Sequence, residues 1–362
     1  LLYGEELVRE WYGSSSNSNE KQGLKSKLFQ FYLDHHVDKM FACDFENMHP
    51  APKSVTVPDL KADKVKKAAS MLSEAERPVC IVGSQGMLKH SQTHQLKSAL
   101  DKLGVPIYLT GMARGLMGRY HELQMRHQRS KALKEGDLVI LAGMPCDFRL
   151  GYGRSISSKA KVIAVNRNRA DLNLNRKPDL GLLSDPHEML CELAELSVLP
   201  QDYFSSWVST LRANDKNREQ SIASQAKQET EFVNPLNFFQ ELEEFLEEDS
   251  ILVADGGDFV ATASYILKPR KPFSWLDPGV FGTLGVGAGF SIGAQLSNPE
   301  SEVWLIYGDG AAGYSLQEVD TLVRHKLPVI AVIGNDASWA QIARDQVEVL
   351  KSDIATTLQR SD

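Results

Sequence analysis

Apolar positions along the chain fall into two kinds of run, and their alternation sets the expected architecture. Short continuous aliphatic runs read as buried strands: Pro78–Ser84, Pro106–Thr110, Asp137–Gly143 and Lys161–Asn166. Helical stretches separate them. One covers Asp59–Ala75, with Pro58 before it and apolar residues at Val65, Ala68, Ala69 and Leu72. Another covers Ser91–Leu103 and stops at Gly104. Strands without polar alternation have both faces covered, which is the habit of parallel sheets. Residues 58–197 are therefore expected to form a doubly wound α/β domain.

The same alternation returns over residues 233–362. It runs helix Pro235–Leu246, strand Ile251–Asp255 and helix Phe259–Leu267, then a glycine-rich stretch. Strand Val303–Tyr307, helix Leu316–His325 and strand Pro328–Ile333 follow. This predicts a second α/β domain with few strands for a complete sheet, expected to be truncated at the C-terminus. Residues 198–232 connect the two, and the polar, charged stretch 202–231 predicts an exposed helix. Residues 1–57 are mixed: Gly13–Asn19 is Ser/Asn-rich, and Phe29–Phe45 is amphipathic.

Composition narrows the function classes. A length of 362 residues suggests two or three domains at ~100–200 residues each. Forty basic against 47 acidic residues give a net charge of −7, so nucleic acid is not expected as the main partner. No run of ~18 apolar residues predicts a transmembrane helix. The cysteines Cys43, Cys80, Cys146 and Cys191 form no CxxC pair, which removes a zinc ribbon; Cys80 and Cys146 read as core residues. His35-His36 has no third ligand at suitable spacing and reads as a solvated helix face. The chain opens at Leu1 without a signal pattern and is expected to be a piece of a longer protein.

The chemistry concentrates in Gly308-Asp309-Gly310, which ends an apolar strand. Glycines there permit close backbone approach to an anion, and Asp309 is a hard oxygen ligand. Gly334-Asn335-Asp336 follows after a helix and a strand. A strand–loop–helix–strand unit of that length returns both loops to one sheet edge, where two oxygen ligands can hold Mg²⁺ against a diphosphate. Gly308–Gly313 also fits GxGxxG, the signature of a nicotinamide-dependent dehydrogenase. Asp309 inside that run repels a bare pyrophosphate, which disfavours this reading.

With these motifs the chain resembles the thiamine diphosphate (ThDP) enzymes. Gly-Asp-Gly with a following Asn-containing pair, flanked by Ser315–Leu322, is similar to their diphosphate motif. Gly279–Ala294 resembles the glycine-rich segment of acetolactate synthases. Val139–Arg154, Val165–Arg169, Val253–Phe259 and Trp275–Gly279 resemble the branch containing acetolactate synthase-like proteins and 2-hydroxyacyl-CoA lyases.

The resemblance implies roles. Asp309 matches the first metal ligand, Asp336 the second (most relatives have Asn there), and Ser338 a backbone-carbonyl ligand. Gly256, Gly257 and Asp258 match the loop touching the diphosphate, with Asp258 also readable as a helix N-cap; Gly308 and Gly310 flank the first ligand. Gly282 matches the carbonyl that accepts from the cofactor's 4′-amino group, and Leu284 the apolar wedge that bends the cofactor. The catalytic glutamate of the family sits in a preceding pyrimidine-binding domain, of which residues 1–57 match only the tail. No catalytic residue is thus expected in this chain, and the chain alone is expected to be inactive.

The resemblance further implies FAD or another nucleotide in the central domain, with Arg114, Arg154 and Asn166–Arg169 as contacts or, equally, ordinary loops. The expected activity is ThDP- and Mg²⁺-dependent cleavage of 2-hydroxyacyl-CoA to an aldehyde and formyl-CoA. The alternatives are carboligation of 2-oxo acids such as pyruvate, or a non-catalytic relative. A homodimer or homotetramer is expected, at the endoplasmic reticulum membrane through a segment absent here.

Overall fold

A strand whose every residue is apolar is expected to be covered on both faces, and the inner strands of two sheets obey this rule, whereas the edge strand Val329–Gly334 is apolar and only half-buried to exposed. The computed structural model describes residues 6–9, 24–41, 55–200 and 202–358. It divides into a small unit, Leu1–Thr56, and a large one, Val57–Asp362. In the small unit, helix α1 (Leu24–Phe41) buries Val37 and leaves His35 and His36 exposed. Cys43 and the Ser/Asn-rich stretch lie outside the described residues.

The large unit holds both α/β layers. α2 (Ala62–Ser73) leads to β1 (Pro78–Val82). α3 (Thr93–Leu103), β2 (Ile107–Leu109), β3 (Gln124–Met125) and α4 (Arg129–Glu135) follow. β4 (Leu138–Ala142), β5 (Lys161–Asn166), β6 (Leu180–Leu183) and α5 (Pro186–Leu196) complete the first layer. The six strands are parallel in the order β3-β2-β1-β4-β5-β6. Each face of β1 and β4 has its own core: Val65, Leu72, Leu96 and Leu190 on one side, Leu133, Ile156 and Trp207 on the other. β3 and β6 were not predicted. β3 is two residues long and β6 carries an internal glycine, so neither leaves a periodic signal.

α6 (Ser205–Ala226) and α7 (Pro235–Phe245) lead to the second sheet. Its elements are β7 (Ile251–Ala254), α8 (Asp258–Ile266), β8 (Trp275–Leu276), α9 (Gly287–Ser297), β9 (Val303–Gly308), α10 (Glu318–Arg324), β10 (Val329–Gly334) and α11 (Ala340–Leu350). The four strands are parallel in the order β10-β9-β7-β8. Two doubly wound α/β layers are thus present, as the apolar alternation requires.

Two expectations need correction. α2 starts three residues later than the expected Asp59, because Lys61 is extended and the chain before it is not helical. α6 is not simply an exposed connector. Trp207 and Leu211 join the core of the first layer, Ile222 joins that of the second, and Asp215 accepts the backbone N–H groups of Arg126 and His127. Its buried residues are too sparse over 22 positions to register as a stripe. Cys80 and Cys146 are buried as expected, and burial pushes the Cys80 thiol up to about 12. Among the described residues, no helix is long and apolar enough to cross a membrane.

The two layers are bolted together by arginines of the segment after β2. Arg119 Nε donates to Glu243 Oε1 at 2.9 Å, and Arg126 reaches three carbonyls at the end of α8. Glu243 is the hub: its Oε2 accepts from Arg270 Nη1 at 2.8 Å and from the Lys268 backbone N–H at 2.9 Å. Glu243 and Arg270 are both 5% exposed. Removing one partner of such a buried pair strands the other charge, which costs about 3–5 kcal/mol. Glu243→Gln is expected to destabilise the large unit by about 3 kcal/mol, read as a lowered urea midpoint. Arg119→Gln, which leaves the Arg270 pair in place, is expected to cost less.

Candidate functional site

Parallel strands deliver all their carboxyl ends to one edge, and here three adjacent strands bring chemistry with them. β9 pairs with β10 so that Gly308 lies opposite Gly334, and with β7 so that Ile306 lies opposite Ala254. The Gly308 N–H donates to the Gly256 carbonyl at 3.3 Å. The three following loops therefore meet around a cavity of about 270 Å³, lined by Gly256–Asp258, Gly308–Gly310, Gly334, Asp336 and Ser338, with Gly282 and Leu284 on its wall. The volume sits just below the ~300–1,000 Å³ of whole small-molecule sites, which suits the anionic end of a larger ligand.

At three of these glycines no side chain fits. A Cβ on Gly334 would stand 2.2 Å from the Phe259 ring, and one on Gly310 2.5 Å from the Trp339 ring. A Cβ on Gly256 would stand 2.2 Å from Leu284 Cδ2. Gly257, at φ 107°, starts α8 without a side-chain cap, so the first-turn N–H groups of that helix have no capping acceptor. Such an N-terminus, next to backbone held bare by glycine, is a cradle for an anion. Asp258 was read as the N-cap. The structure makes it the first helical residue instead, with its carboxylate paired to Arg344 Nη2 at 2.5 Å.

Three acids converge on this cradle. Asp309 Oδ1 accepts from the Gly310 N–H at 2.8 Å, and Asp336 Oδ1 from the Ser338 N–H at 3.0 Å. Burial, then the Asp309 charge and more weakly the Asp258 charge, push the Asp336 carboxyl above the usual carboxylate range. The Asp336 turn is strapped from behind: Ser338 bridges antiparallel to Thr357, with bonds from Trp339 N–H to Thr356 O and from Leu358 N–H to Ala337 O, both 2.7 Å. Those bonds do not use the Ser338 carbonyl.

Comparison with known proteins accounts for the arrangement. Residues 255–360 match the thiamine pyrophosphate enzyme C-terminal TPP-binding domain, and residues 65–193 match the thiamine pyrophosphate enzyme central domain. The chain is 44% identical to 2-hydroxyacyl-CoA lyase 2 of Homo sapiens, over 94% of its own length and 55% of that protein's. It is 44% identical to the Caenorhabditis elegans protein of the same name, over 100% and 57%. It is 32% identical to the acetolactate synthase large subunit of Mycobacterium tuberculosis, over 85% and 56%. The chain belongs to the thiamine pyrophosphate enzyme family. It spans about half the length of the curated relatives it matches.

The residues present fit the ThDP diphosphate and a hard dication. The available donors are all oxygen: two carboxylates and a backbone carbonyl. Among the described residues, no three His, Cys, Asp or Glu side chains form a metal cage of their own. Mg²⁺ suits this incomplete set, because it is usually held by one or two carboxylates with phosphate oxygens and water. A bare diphosphate would be repelled by three acids; a dication reverses that sign.

Residues not singled out in the sequence shape the ThDP pocket. Asp255, 2% exposed at the end of β7, accepts the N–H groups of Gly285 at 2.9 Å and Gly287 at 2.7 Å. It fixes the loop that carries Gly282 (φ 64°) and Leu284. An aspartate ending an apolar strand before Gly-Gly was a legible signal for it. Trp339 and Phe259 wall the cradle, and neither had one.

The residues proposed as nucleotide contacts also bond within the protein. Arg114 is half-buried, its guanidinium 3.9 Å above the Trp275 ring and bonded to the Ser264 carbonyl; desolvation lowers its pKa to about 10. Arg154 is exposed and bonds its own Gly151 carbonyl. Arg167 pairs with buried Asp185, and Asn168 caps a one-turn helix at Arg169–Leu172.

Two predictions follow from the cavity walls and the charge. Gly256→Ala pushes Leu284 out of place and should destabilise the fold by about 1–3 kcal/mol, with Gly256→Ala/Leu284→Ala recovering part of that loss in chemical denaturation. Asp336→Asn removes like charge and should tighten Mg²⁺–ThDP binding several-fold by calorimetry; a sharp fall would show that the carboxylate–metal bond outweighs the repulsion.

Proposed function

We propose that the full-length protein carrying this chain is a ThDP- and Mg²⁺-dependent carbon–carbon lyase that cleaves 2-hydroxyacyl-CoA to an aldehyde and formyl-CoA. The observation that carries this is the meeting of Asp309, Asp336 and the uncapped start of α8 at one sheet edge, in a chain 44% identical to a 2-hydroxyacyl-CoA lyase 2. When bound, ThDP supplies the carbanion stabilisation that carbon–carbon cleavage needs.

The chain's own part is holding and shaping. The Asp309 and Asp336 carboxylates and the Ser338 carbonyl hold Mg²⁺, and the first-turn N–H groups of α8 receive the diphosphate. The Gly282 carbonyl accepts from the aminopyrimidine, and Leu284, buttressed against Gly256, presses on the cofactor from its apolar side. The glutamate that exchanges a proton with the aminopyrimidine is assigned to a preceding domain, with a homodimer or homotetramer bringing it to the pocket. Between the central layer and the second, a cleft of about 550 Å³ lined by Arg114, Arg126 and Arg129 on one side and Ser264, Tyr265 and Asp277 on the other supports binding of a nucleotide or of FAD; flavin absorbance of the purified protein separates the two.

A second reading, carboligation of 2-oxo acids, is favoured by the identity with acetolactate synthase. Both readings use the same pocket. The deciding assay incubates full-length protein with ThDP, Mg²⁺ and a long-chain 2-hydroxyacyl-CoA, and measures the shortened aldehyde by mass spectrometry. Aldehyde is expected from the wild type and not from Asp309→Ala. Acetolactate from pyruvate without any aldehyde would establish the second reading instead.

A further inference from the structure

The diphosphate cradle is overloaded with one sign of charge. Asp258, Asp309 and Asp336 line it, and no Lys, Arg or His does. Its nearest counter-charge stands just behind the lining. Arg344 lies on α11, the helix that follows the Asp336 turn, and its Nη2 is 2.5 Å from Asp258 Oδ1. The pair joins the first residue of α8 to the second turn of α11, two helices that both begin at the cradle. Arg344 is 62% exposed and Asp258 35%, so as a stability device the pair counts for little. Its position counts for more than its strength. Asp258 occupies the first turn of α8, where an unpaired carboxylate competes with an incoming anion for the same N–H groups and positive dipole end.

We infer that Arg344 is a positioning residue for the diphosphate: it engages the Asp258 carboxylate and cancels its charge, leaving the α8 N-terminus free for the anion. Arg344 acts through Asp258, since it is not among the cavity-lining residues. The claim rests on the ThDP reading of the pocket and adds the requirement that an anion tolerates Asp258 only while Arg344 is present. One uncompensated charge at ~4 Å in water is worth about 1 kcal/mol, or roughly a five-fold change in affinity.

The test is calorimetric and needs no turnover. Full-length wild type, Arg344→Gln, Arg344→Lys, Asp258→Asn and the Arg344→Gln/Asp258→Asn double variant are titrated with Mg²⁺–pyrophosphate and with Mg²⁺–ThDP. Arg344→Gln should weaken both about five-fold, and the loss should shrink at high salt. Arg344→Lys should keep most of the affinity. The double variant should return to wild-type affinity or better, because removing the Asp258 charge removes the need for Arg344. Unchanged affinity in Arg344→Gln would overturn the inference. So would a loss that Asp258→Asn fails to rescue, since that marks a direct phosphate contact or a merely structural role. A wild type that binds neither probe would overturn the ThDP reading itself, an outcome separate from either of these.

Discussion

Like charge gathered at the carboxyl edge of one parallel sheet is the constraint that orders this site. Parallel pairing of β7, β9 and β10 forces three loops together, and each brings an aspartate. Two acids at a metal site are useful, because a dication needs them and a diphosphate completes the shell. The third has no such use. Asp258 starts α8 rather than capping it, and it pairs with Arg344 from the next helix along the edge. Steric demands act in parallel. Gly256, Gly310 and Gly334 are required by Leu284, Trp339 and Phe259, so the cradle is narrow because its walls are bulky.

What was legible in the sequence was what adjacent residues or a fixed topology determine. Asp309 and Asp336 could be placed together because a strand–loop–helix–strand unit returns to the same edge whatever its side chains are. The β1, β4, β5, β7 and β9 runs were legible because burial on both faces leaves no polar interruption. Arg344 was not legible. It lies 86 residues from Asp258 (344 − 258), and its role depends on the rotation of α11, which no local pattern encodes. α6 failed for the opposite reason: its few buried residues serve two different cores, so no single stripe exists. Asp258 was assigned a cap because Asp after Gly-Gly is a common helix start. The structure moved the boundary by one residue and leaves the helix start without a side-chain cap.

The central layer contributes to the site from the far end of the same helix. α8 meets the cradle with its N-terminus and meets Arg126 with its C-terminus, where the guanidinium bonds the carbonyls of Tyr265, Ile266 and Leu267 at 2.9–3.2 Å. Arg114 adds the Ser264 carbonyl. A cation there neutralises the negative end of the helix dipole, an effect of ~0.3–1 kcal/mol when exposed and up to ~2 when partly buried. Burial depresses the pKa of both arginines, and Arg114, lowered to about 10, is charged at neutral pH.

Those arginines tie the position of α8 to the central layer rather than to its own sheet alone. The Glu243–Arg270–Arg119 cluster does the same for α7, which packs against α8 through Phe238, Phe239 and Phe259. Phe259 is also the ring that excludes a side chain at Gly334. A continuous set of contacts therefore runs from Arg119 through Glu243 and α7 to Phe259 and the cradle wall. The arginine docking is thereby connected to the Phe259 wall of the pocket. That is a physical reason for a diphosphate-binding layer and a central layer to be folded as one unit.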